Sequence, residues 1–477
     1  MTMLSDLIAS FVTKRLDLSP KASNSSVPAS SPLEQKSEPQ NGGQAVSNGG
    51  DAIVITPEFE HAFSLIESRA PFIFITGRAG TGKSTFTTLL KERLRSYAVV
   101  APTGVAALNV GGQTIHSFFR FAPGPIDLDK IKPVKNKIAY KALKTLVIDE
   151  ISMVRADLLD AIDRFLRENG PSSSKPFGGV QVIAIGDLFQ LPPIVATHEE
   201  QAFLSRGYKS PFFFSANCLM ELTLQSIEFS KVFRQTEANF INLLNSIREG
   251  KQLSATLAGL NERVTGEYGD KFDGILLAGT NAAVSQINKR RLSEIAEPEF
   301  EYKGEIIGEF KIDQSKLPAP LDLQLKRGAQ VMFLKNDRAK RWVNGTLGVV
   351  VECGAGFVTV ALSDRFGRSE VRVEPELWDN FKFEYNPDLG AVAATKIGSY
   401  RQIPLIPAWA ITVHKAQGKT FDRIHVDFGH GAFAEGQVYV ALSRCRTLAG
   451  VTLQQPISKE DIHLNYDVIQ FYASLGR

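Results

Sequence analysis

The strongest constraint on the fold is a short glycine-rich segment between a strand pattern and a helix pattern. Phe72–Thr76 (F-I-F-I-T) is typical of a buried strand, Ser84–Leu94 is typical of a helix, and G-R-A-G-T-G-K-S joins them. Glycines let backbone N–H groups wrap an anion at a helix N-terminus. The segment predicts a phosphate-binding loop rather than a ligand-free turn. The residues expected around a nucleotide are Gly77, Ala79, Gly80, Thr81, Gly82, Lys83, Ser84 and Thr85.

Two further segments carry side chains suited to phosphate chemistry. Leu146–Glu150 (L-V-I-D-E) ends an apolar strand in two acids, and Gly186–Pro193 reads G-D-L-F-Q-L-P-P. Lys83 would reach the β- and γ-phosphates, and Ser84 and Asp149 would hold Mg²⁺. Glu150 suits polarising a water molecule. Gln190 is a candidate γ-phosphate sensor, because its amide can bind both a phosphate and a water; the alternative is a proline-terminated loop. Together these segments favour a nucleotide hydrolase over a kinase.

Strand-like apolar runs alternate with helical patterns along most of the chain. The first set is Phe72–Thr76, Ala98–Ala101, Thr145–Ile148 and Val180–Ile185, and the second is Gly274–Ala278, Pro407–Ile411 and Arg423–Asp427. Such alternation predicts an α/β fold with parallel sheets. Within the second set, Glu301–Ser399 changes to short β-rich pieces separated by turns. That change predicts a small β-barrel inserted in the second α/β domain.

Composition excludes several classes of protein. Lys and Arg total 54 and Asp and Glu total 51, which gives a net charge of +3, so a nucleic-acid site must be a local groove. Cys218, Cys353 and Cys445 show no C-x-x-C spacing, which argues against a zinc site or a disulfide framework. No apolar run reaches the roughly 18 residues of a membrane span. Ser19–Gly50 is rich in Ser, Pro, Asn, Gln and Gly, and is expected to be disordered.

Several segments, taken in order, resemble the motifs of superfamily 1 helicases. Besides those above, they are V-A-P-T-G-V-A-A-L-N-V-G-G-Q-T-I-H-S-F-F-R at Val100–Arg120, V-F-R-Q at Val232–Gln235, T-V-H-K-A-Q-G-K-T at Thr412–Thr420 and V-Y-V-A-L-S-R-C-R at Val438–Arg446. Their order and spacing make the chain similar to the Pif family, in the 5′→3′ subgroup with the RecD and Dda helicases. The resemblance covers about Ile53 to Tyr472.

The resemblance implies two RecA-like domains with ATP and Mg²⁺ in the cleft between them. Arg234 and Arg444 match arginines that reach the γ-phosphate from the second domain and stabilise its charge as fingers in cis. Gly418 matches a position where its motif meets the phosphates. Phe59 is a departure, since it stands where the subgroup usually has a glutamine that recognises adenine. ATP is the expected fuel, and adenine selectivity is either weak or carried by other residues.

The same resemblance places a DNA strand across both domains. The residues that match strand-facing positions are Thr103, His116, Thr412, His414 and Lys415. Thr280 and Asn281 follow a second-domain strand and either hold DNA phosphates or cap a helix. Phe118–Lys141 is aromatic and basic and falls where the family carries a wedge. Its lysines either line the DNA path or form a solvated loop.

The implied domains follow from these motifs. Residues 1–50 form a disordered tail, and 51–225 form the first RecA-like domain with a wedge at about 118–141. Residues 226–300 and 396–477 form the second, and 301–395 an SH3-like accessory domain.

We expect an ATP-dependent DNA helicase that moves 5′→3′ on single-stranded DNA. Its expected partners are single-stranded, forked and partial-duplex DNA, with G-quadruplexes and RNA–DNA hybrids as further substrates. The direction rests on the resemblance alone. The alternatives are an RNA-directed helicase, a nucleotide-gated DNA clamp and a RecD-like subunit of a larger complex. We expect an acting monomer, no membrane association and a protein partner for the tail. The expected location is the cytoplasm, with the nucleoid, or a nucleus or organelle in a eukaryote.

Overall fold

The computed structural model describes residues 45–46, 53–122, 124–195, 197–266, 274–310, 317–337, 339–364 and 367–476. The predicted disordered tail, residues 1–50, lies outside this part of the chain except for residues 45–46. Ala45–Val46 (β1) and Ile53–Val54 (β2) pair antiparallel. They belong to an N-terminal unit that ends at Val54, and the features below belong to the unit that begins at Ile55.

Strands and helices alternate in the first half of this second unit. The strands are β3 (Phe72–Gly77), β4 (Tyr97–Ala101), β5 (Gln113–Thr114), β6 (Thr145–Ile148), β7 (Gln181–Ile185) and β8 (Leu224–Phe229). The helices are α1 (Pro57–Glu67), α2 (Lys83–Arg93), α3 (Gly104–Asn109), α4 (Ile115–Phe119), α5 (Ile138–Ala142), α6 (Ala156–Asn169) and α7 (His198–Gly207).

These strands form a parallel sheet in the order β5-β4-β6-β7-β3-β8. β3, β6 and β7 are buried along their whole length, as continuous apolar runs are when both faces of a parallel sheet are covered. Because the three strands are neighbours and parallel, their carboxyl ends lie along one edge. The glycine-rich loop, the Asp149–Glu150 pair and the Gly186–Pro193 loop all leave the sheet at this edge.

The second half contains a further set of elements. The strands are β9 (Ile275–Ala278), β10 (Glu299–Lys303), β11 (Glu305–Gly308), β12 (Asp322–Lys326), β13 (Gln330–Phe333), β14 (Leu347–Gly354), β15 (Phe357–Asp364), β16 (Gly367–Val373), β17 (Glu376–Asn386), β18 (Ala391–Gln402), β19 (Leu405–Pro407), β20 (Ala410–Thr412), β21 (Ile424–Asp427) and β22 (Val451–Leu453). The helices are α8 (Ala238–Glu249), α9 (Leu253–Asn261), α10 (Asn281–Glu294), α11 (Val413–Ala416), α12 (Gln437–Leu442) and α13 (Tyr466–Ser474).

A second parallel sheet runs in the order β20-β9-β21-β22. It has its own apolar core, in which the central strands pack with α8, α9 and α12. Thus two parallel α/β sheets are present, as the alternating pattern predicts. A search of the described residues finds no helix with the length and apolar character needed to cross a bilayer.

Antiparallel strands occupy the sequence between β9 and β20. They form three sheets, β10-β12, β11-β18-β17 and β16-β15-β14-β13-β19. The β17–β18 hairpin contacts the first parallel sheet, since the Phe383 amide donates to Gln113 Oε1 at 3.0 Å and the Val392 amide to Ser96 Oγ at 3.0 Å. The barrel and the boundaries 301–395 stay predictions.

The prediction of one strand over Pro407–Ile411 is wrong. β19 ends at Pro407 and pairs antiparallel with β13, whereas β20 begins at Ala410 and pairs parallel with β9. Proline lacks the N–H that a continuing ladder needs, so a break next to Pro407 is expected. The Gln330 side chain spans the break by donating to the carbonyl oxygens of Gly274 and Ala408.

The C-terminal helix α13 also differs from the expected arrangement. The motifs place residues 396–477 in the second domain, but Val468 and Tyr472 of α13 are buried in the core of the first sheet. The Tyr472 hydroxyl lies 2.7 Å from Thr76 Oγ1, at the end of β3, and its ring stacks on Phe189 at 5.0 Å. The apolar face of α13 therefore returns the chain to the first sheet.

Candidate nucleotide and DNA sites

The glycine-rich loop surrounds the amine of Lys83. Lys83 Nζ donates to the carbonyl oxygens of Gly77 at 2.6 Å and Arg78 at 3.0 Å. Gly82 has a φ of +85° and ends the loop in a left-handed conformation that glycine adopts without strain. Burial lowers the pKa of Lys83, while Asp187 and Glu150 oppose that shift. The described hydrogen bonds of this ammonium go to two backbone carbonyl oxygens, and a phosphate would take their place.

The other predicted loop residues surround this amine. Thr81 Oγ1 donates to the Arg78 carbonyl oxygen at 2.9 Å, and the Ala79 amide donates to the Tyr439 hydroxyl at 2.9 Å. Ser84 and Thr85 are exposed on the first turn of α2. Gly80 has a φ of +82°, and a Cβ added there would lie 2.5 Å from Cβ of Arg234. Glycine at position 80 therefore lets the segment that carries Arg234 pack directly on the loop.

Asp149 and Glu150 lie at the end of β6, as predicted. Burial and then the adjacent Glu150 raise the pKa of Asp149 to about 7. Burial also raises the pKa of Glu150, although Lys83 and Arg444 oppose it. Glu150 adopts a left-handed backbone with φ 51° and ψ 47°, a conformation that costs a non-glycine residue about 1–3 kcal/mol and is common at functional sites. These buried acids are suited to a cation and a polarised water.

Gln190 belongs to a buried polar cluster that the sequence did not reveal in full. Gln190 Nε2 donates to Asp187 Oδ2 at 3.2 Å, and Arg248 NH2 donates to Asp187 Oδ1 at 3.2 Å. Burial alone would raise the pKa of Asp187, but Arg248 and Lys83 hold it below its ordinary value. The Tyr439 hydroxyl also donates to Asp187 Oδ2, at 3.4 Å. Asp187, Arg248 and Tyr439 are thus site residues that sequence reasoning missed.

The two predicted arginines lie together beside the loop. Arg234 NH1 donates to the Ser443 carbonyl oxygen at 3.2 Å, and Arg444 NH2 donates to Ser443 Oγ at 2.7 Å. Burial and then Arg234 lower the pKa of Arg444 to about 9, and burial lowers that of Arg234 to about 10. Two guanidinium groups in one desolvated space repel each other. The arrangement suits an anion that lies between them.

Gly418 lies next to the residue that contacts the site. Gly418 has a φ of +79°, and a Cβ added there would meet open space. The preceding residue, Gln417, reaches across from the second sheet, and its Nε2 donates to Glu150 Oε2 at 3.2 Å and Gln190 Oε1 at 3.4 Å. The motif containing Gly418 thus meets the acids through Gln417.

The predicted DNA-facing threonines share one local geometry. Thr103, Thr280 and Thr412 each cap a helix, and their hydroxyls accept from the amides of Ala106, Ala283 and Lys415. Thr103 and Thr280 follow β4 and β9, and Thr412 is the last residue of β20, so the three helix N-termini lie at the carboxyl edges of the two sheets. The capping alternative is therefore the observed one for Thr280. Capping does not compete with phosphate binding, because the remaining N–H groups of a helix N-terminus also attract anions.

The other candidates for DNA binding differ in exposure. Asn281, His414 and Lys415 are exposed, and His116 is half-buried on α4. The roles of these four residues in DNA binding stay predictions.

The aromatic part of the predicted wedge is structural. Phe118 and Phe119 are buried in the core of the first sheet, and the Tyr140 hydroxyl donates to the Phe118 carbonyl oxygen at 2.8 Å. Among the lysines, Lys130 pairs with Asp127 at 3.1 Å, and Lys137 donates to the Glu168 carbonyl oxygen. Three other lysines, for which the structure describes no such contact, are exposed: Lys132, Lys135 and Lys141. The rings of Phe118 and Phe119 therefore cannot stack on DNA bases.

Phe59 is also part of the core. Its ring is 1% exposed and packs on Phe86 and Phe229 at centroid distances of 5.1 and 4.5 Å. A Cβ added at Gly82 would lie 3.3 Å from Phe59 Cζ. The Phe59 ring packs next to Gly82 of the glycine-rich loop, and it has no group that could form a hydrogen bond with a nucleotide base.

Comparison with known proteins supplies a family. A model of the PIF1-like helicase family matches residues 54–257. The ATP-dependent DNA helicase Pif1 of Bdellovibrio bacteriovorus is 34% identical over 412 residues, which cover 84% of this chain and 88% of that protein. The human ATP-dependent DNA helicase PIF1 is 36% identical over 433 residues, 85% of this chain. The chain spans only 61–62% of the length of the human, frog and fungal PIF1 proteins.

Solved structures give the same result. The Bacteroides Pif1 structure in complex with ADP-AlF4 is 38% identical, with a TM-score of 0.81 over 89% of this chain and 97% of that one. Bacteroides Pif1 bound to single-stranded DNA is 38% identical, with a TM-score of 0.63 over 88% of this chain and 97% of that one. These matches confirm the α/β fold with two RecA-like domains that the motifs imply. The chain belongs to the PIF1-like helicase family.

Proposed function

We propose that this chain is an ATP-dependent DNA helicase that moves 5′→3′ on single-stranded DNA and unwinds duplexes. One observation carries the proposal: Lys83, the Asp149–Glu150 pair, and Arg234 and Arg444 meet at the carboxyl edge of the first sheet. Cations from two parts of the chain thus surround one space beside two acids. Such an arrangement binds a triphosphate and stabilises the charge of its transferring γ-phosphoryl group.

Each side chain has a defined part in hydrolysis. Lys83 binds the β- and γ-phosphates in place of the Gly77 and Arg78 carbonyl oxygens. Glu150 orients and polarises the attacking water, a task for which its raised pKa makes it a stronger base than an ordinary glutamate. Gln190 contacts the γ-phosphate or that water. Arg234 and Arg444 stabilise negative charge in the transition state and make hydrolysis depend on the position of the second sheet.

Mg²⁺ fits the oxygen donors present. The described residues hold no cluster of three or more His, Cys, Asp or Glu side chains that could form a metal cage. Mg²⁺ does not need one, because it binds through one or two protein oxygens, waters and substrate phosphates. Ser84 Oγ and the Asp149 carboxylate would hold it, and its charge would keep Asp149 ionised despite burial. When bound, it neutralises phosphate charge during hydrolysis.

DNA binding is proposed along the carboxyl edges of both sheets. Thr103 and His116 on the first sheet, and Thr280, Asn281, His414 and Lys415 on the second, contact the strand backbone or its stacked bases. Thr412 is buried and takes part by capping the helix that carries His414 and Lys415. Alternating grips by the two sheets then convert ATP binding and hydrolysis into steps along the strand. Each step opposes duplex stacking of about 1.4 kcal/mol per base-pair step.

The relatives support this proposal. The Bacteroides proteins carry ADP-AlF4 and single-stranded DNA in their structures, and the curated relatives are ATP-dependent DNA helicases. We also propose that one copy is the acting unit, because the loop lysine, the acids and both arginines come from one chain. Its location would be with DNA, in the nucleoid of a bacterium or in a nucleus or organelle.

The first test is hydrolysis of ATP with and without single-stranded DNA. Wild-type protein should hydrolyse ATP faster when DNA is present, and Lys83→Ala should lose turnover while it still binds a labelled oligonucleotide. Lys459→Ala, which removes an exposed lysine that no described contact joins to the loop, is the control and should behave as wild type. Turnover that survives Lys83→Ala would refute the proposed site. A clamp without motor activity would hydrolyse ATP but open no duplex.

A further inference from the structure

The amine of Lys419 has an uncommon environment. Lys419 follows helix α11, which carries His414 and Lys415, and its amide donates to the Ala416 carbonyl oxygen at 3.0 Å. Its Nζ donates to the side-chain oxygen of Asn344 at 2.8 Å. No ion pair joins this amine to a carboxylate of the described residues, whereas Lys335 pairs with Glu376 at 3.2 Å. Lys419 is therefore a half-buried cation with a neutral partner.

A hydrogen-bonded turn between β13 and β14 presents Asn344 to this amine. The Thr346 amide donates to the Val343 carbonyl oxygen at 3.0 Å, and the Val343 amide donates to Thr346 Oγ1 at 3.1 Å. The Asn344 amide donates to Asn336 Oδ1 at 2.7 Å. Gly345 has a φ of +99°, and a Cβ added there would lie 3.2 Å from Lys419 Cβ. The turn thus fits closely over the lysine stem.

One neutral partner does not compensate a desolvated charge. Removing an ammonium from water is costly unless it is paired with a charge and fully hydrogen-bonded. The ammonium has three donors, and within the described part of the chain one of them is used, by Asn344. Burial accordingly lowers the pKa of Lys419 to about 8, with no opposing carboxylate. An anion at this position would supply both the missing charge and the missing acceptors.

We propose that Lys419 and Asn344 form a binding site for one backbone phosphate of the single strand. The turn 343–346 and the segment 412–420 lie on two sides of that phosphate. Lys419 Nζ supplies the charge, and the Asn344 amide group donates a second hydrogen bond. The proposal rests on the proposed function, because the anion is taken to be a phosphodiester of DNA.

The same residue connects this site to the nucleotide site. The Lys419 carbonyl oxygen accepts from Arg444 NH1 at 3.5 Å, the long limit of a hydrogen bond. A strand phosphate held by the Lys419 side chain therefore fixes the peptide against which Arg444 lies. Strand occupancy at Lys419 would position the arginine that acts on the γ-phosphate.

The test measures how strand affinity depends on salt. Each phosphate neutralised on a single strand contributes about −0.7 to the slope of log K against log salt concentration. Lys419→Met keeps the stem but removes the charge, so it should weaken binding of a fluorescent oligothymidine and make the slope shallower by about 0.7. Lys459→Met removes an exposed lysine that follows β22, a strand of the second sheet. It should leave the affinity and the salt slope at their wild-type values.

Two further variants separate charge from structure. Lys419→Arg should keep the wild-type slope, and Asn344→Ala should lower affinity with the slope unchanged, because the amine remains. Thermal melting identifies any variant that unfolds. If Lys419→Met and Asn344→Ala both fold and bind as wild type, Lys419 is a structural tether and the proposal is wrong. Wild-type protein that binds no single-stranded DNA at any salt concentration would instead overturn the proposed function itself.

Discussion

Three buried cations surround the space beside Glu150. Burial lowers the pKa values of Lys83, Arg234 and Arg444. Their charges are desolvated before a ligand arrives. Of the described carboxylates nearby, Asp149 and Glu150 are needed for the proposed chemistry, and Asp187 is already paired with Arg248. A triphosphate would relieve the repulsion between these groups, so the residues are arranged for an anion at a cost to the stability of the empty protein.

Arg444 should act mainly on turnover. Arg444→Ala should lower kcat by a factor of roughly 10³–10⁵, the range for an arginine finger, while nucleotide affinity changes far less. The reason is that a finger stabilises charge that develops only in the transition state. Steady-state hydrolysis and binding of a fluorescent nucleotide give the two quantities separately.

The neighbouring Arg446 provides the control for this prediction. Arg446 is exposed and pairs with Asp422 at 3.0 Å, so Arg446→Ala should leave kcat near its wild-type value. A loss of nucleotide affinity with unchanged kcat in Arg444→Ala would make Arg444 a ground-state ligand and contradict the mechanism.

Asp149 should destabilise the protein at neutral pH when nucleotide and Mg²⁺ are absent. Its pKa is raised to about 7 from the ordinary value of 3.8, so the folded state binds the proton more tightly than the unfolded state. The contribution of Asp149 to the free energy of unfolding is therefore most favourable below about pH 4, and it is lost as the pH rises towards 7. Asp149→Asn should raise the melting temperature at pH 8 and abolish hydrolysis.

The pH series also shows how this prediction fails. The stabilisation by Asp149→Asn should shrink as the pH falls from 7 towards 4, as far as the protein stays folded. A mutant that melts below wild type at pH 8, or a difference that does not vary with pH, would contradict the raised pKa.

Helix α13 contacts two segments of the candidate nucleotide site. The Tyr472 hydroxyl contacts Thr76 at the end of β3 and accepts from the Leu188 amide at 3.4 Å. Tyr472→Phe keeps the ring on Phe189 and should lower the free energy of unfolding by about 0.5–1.5 kcal/mol. Val468→Ala should also lower the free energy of unfolding, because Val468 is buried. Denaturant melts measure both changes.

The control for α13 lies on its outer face. Tyr466 is 70% exposed, so Tyr466→Phe should leave stability unchanged. If Tyr472→Phe is also neutral, the two hydrogen bonds do not anchor the helix.

The elements that sequence predicted well are those with a local signal. Thr145–Ile148 is a strand over the predicted residues. A short apolar run between a helix and a turn is enough to predict a buried strand. The position of α13 has no such signal, since an amphipathic helix shows that it needs a core but not which one. Likewise, Arg248 reads as one charge on the helix α8, and its partner Asp187 lies 61 positions away. The role of Gln417 could not be predicted either, because its contacts with Glu150 and Gln190 exist only in the folded structure.

At the scale of the whole molecule, both sheets contribute to the nucleotide site. Gln417 contacts Glu150, Arg248 pairs with Asp187, and the Tyr439 hydroxyl accepts from the Ala79 amide. In each pair, a residue packed with the second sheet meets one at the edge of the first. In the proposed mechanism, a change at the γ-phosphate would alter contacts that set the position of one sheet against the other, which is the coupling that a motor requires.

The most direct test of this account is unwinding of partial duplexes that carry a single-stranded tail at either the 5′ or the 3′ end. Strand separation is followed by fluorescence after ATP is added, with Lys83→Ala as the inactive control. The account predicts ATP-dependent separation of the 5′-tailed duplex and little of the 3′-tailed one. Separation of the 3′-tailed duplex alone would contradict the proposed direction, and vigorous DNA-stimulated hydrolysis with neither duplex opened would contradict the helicase itself.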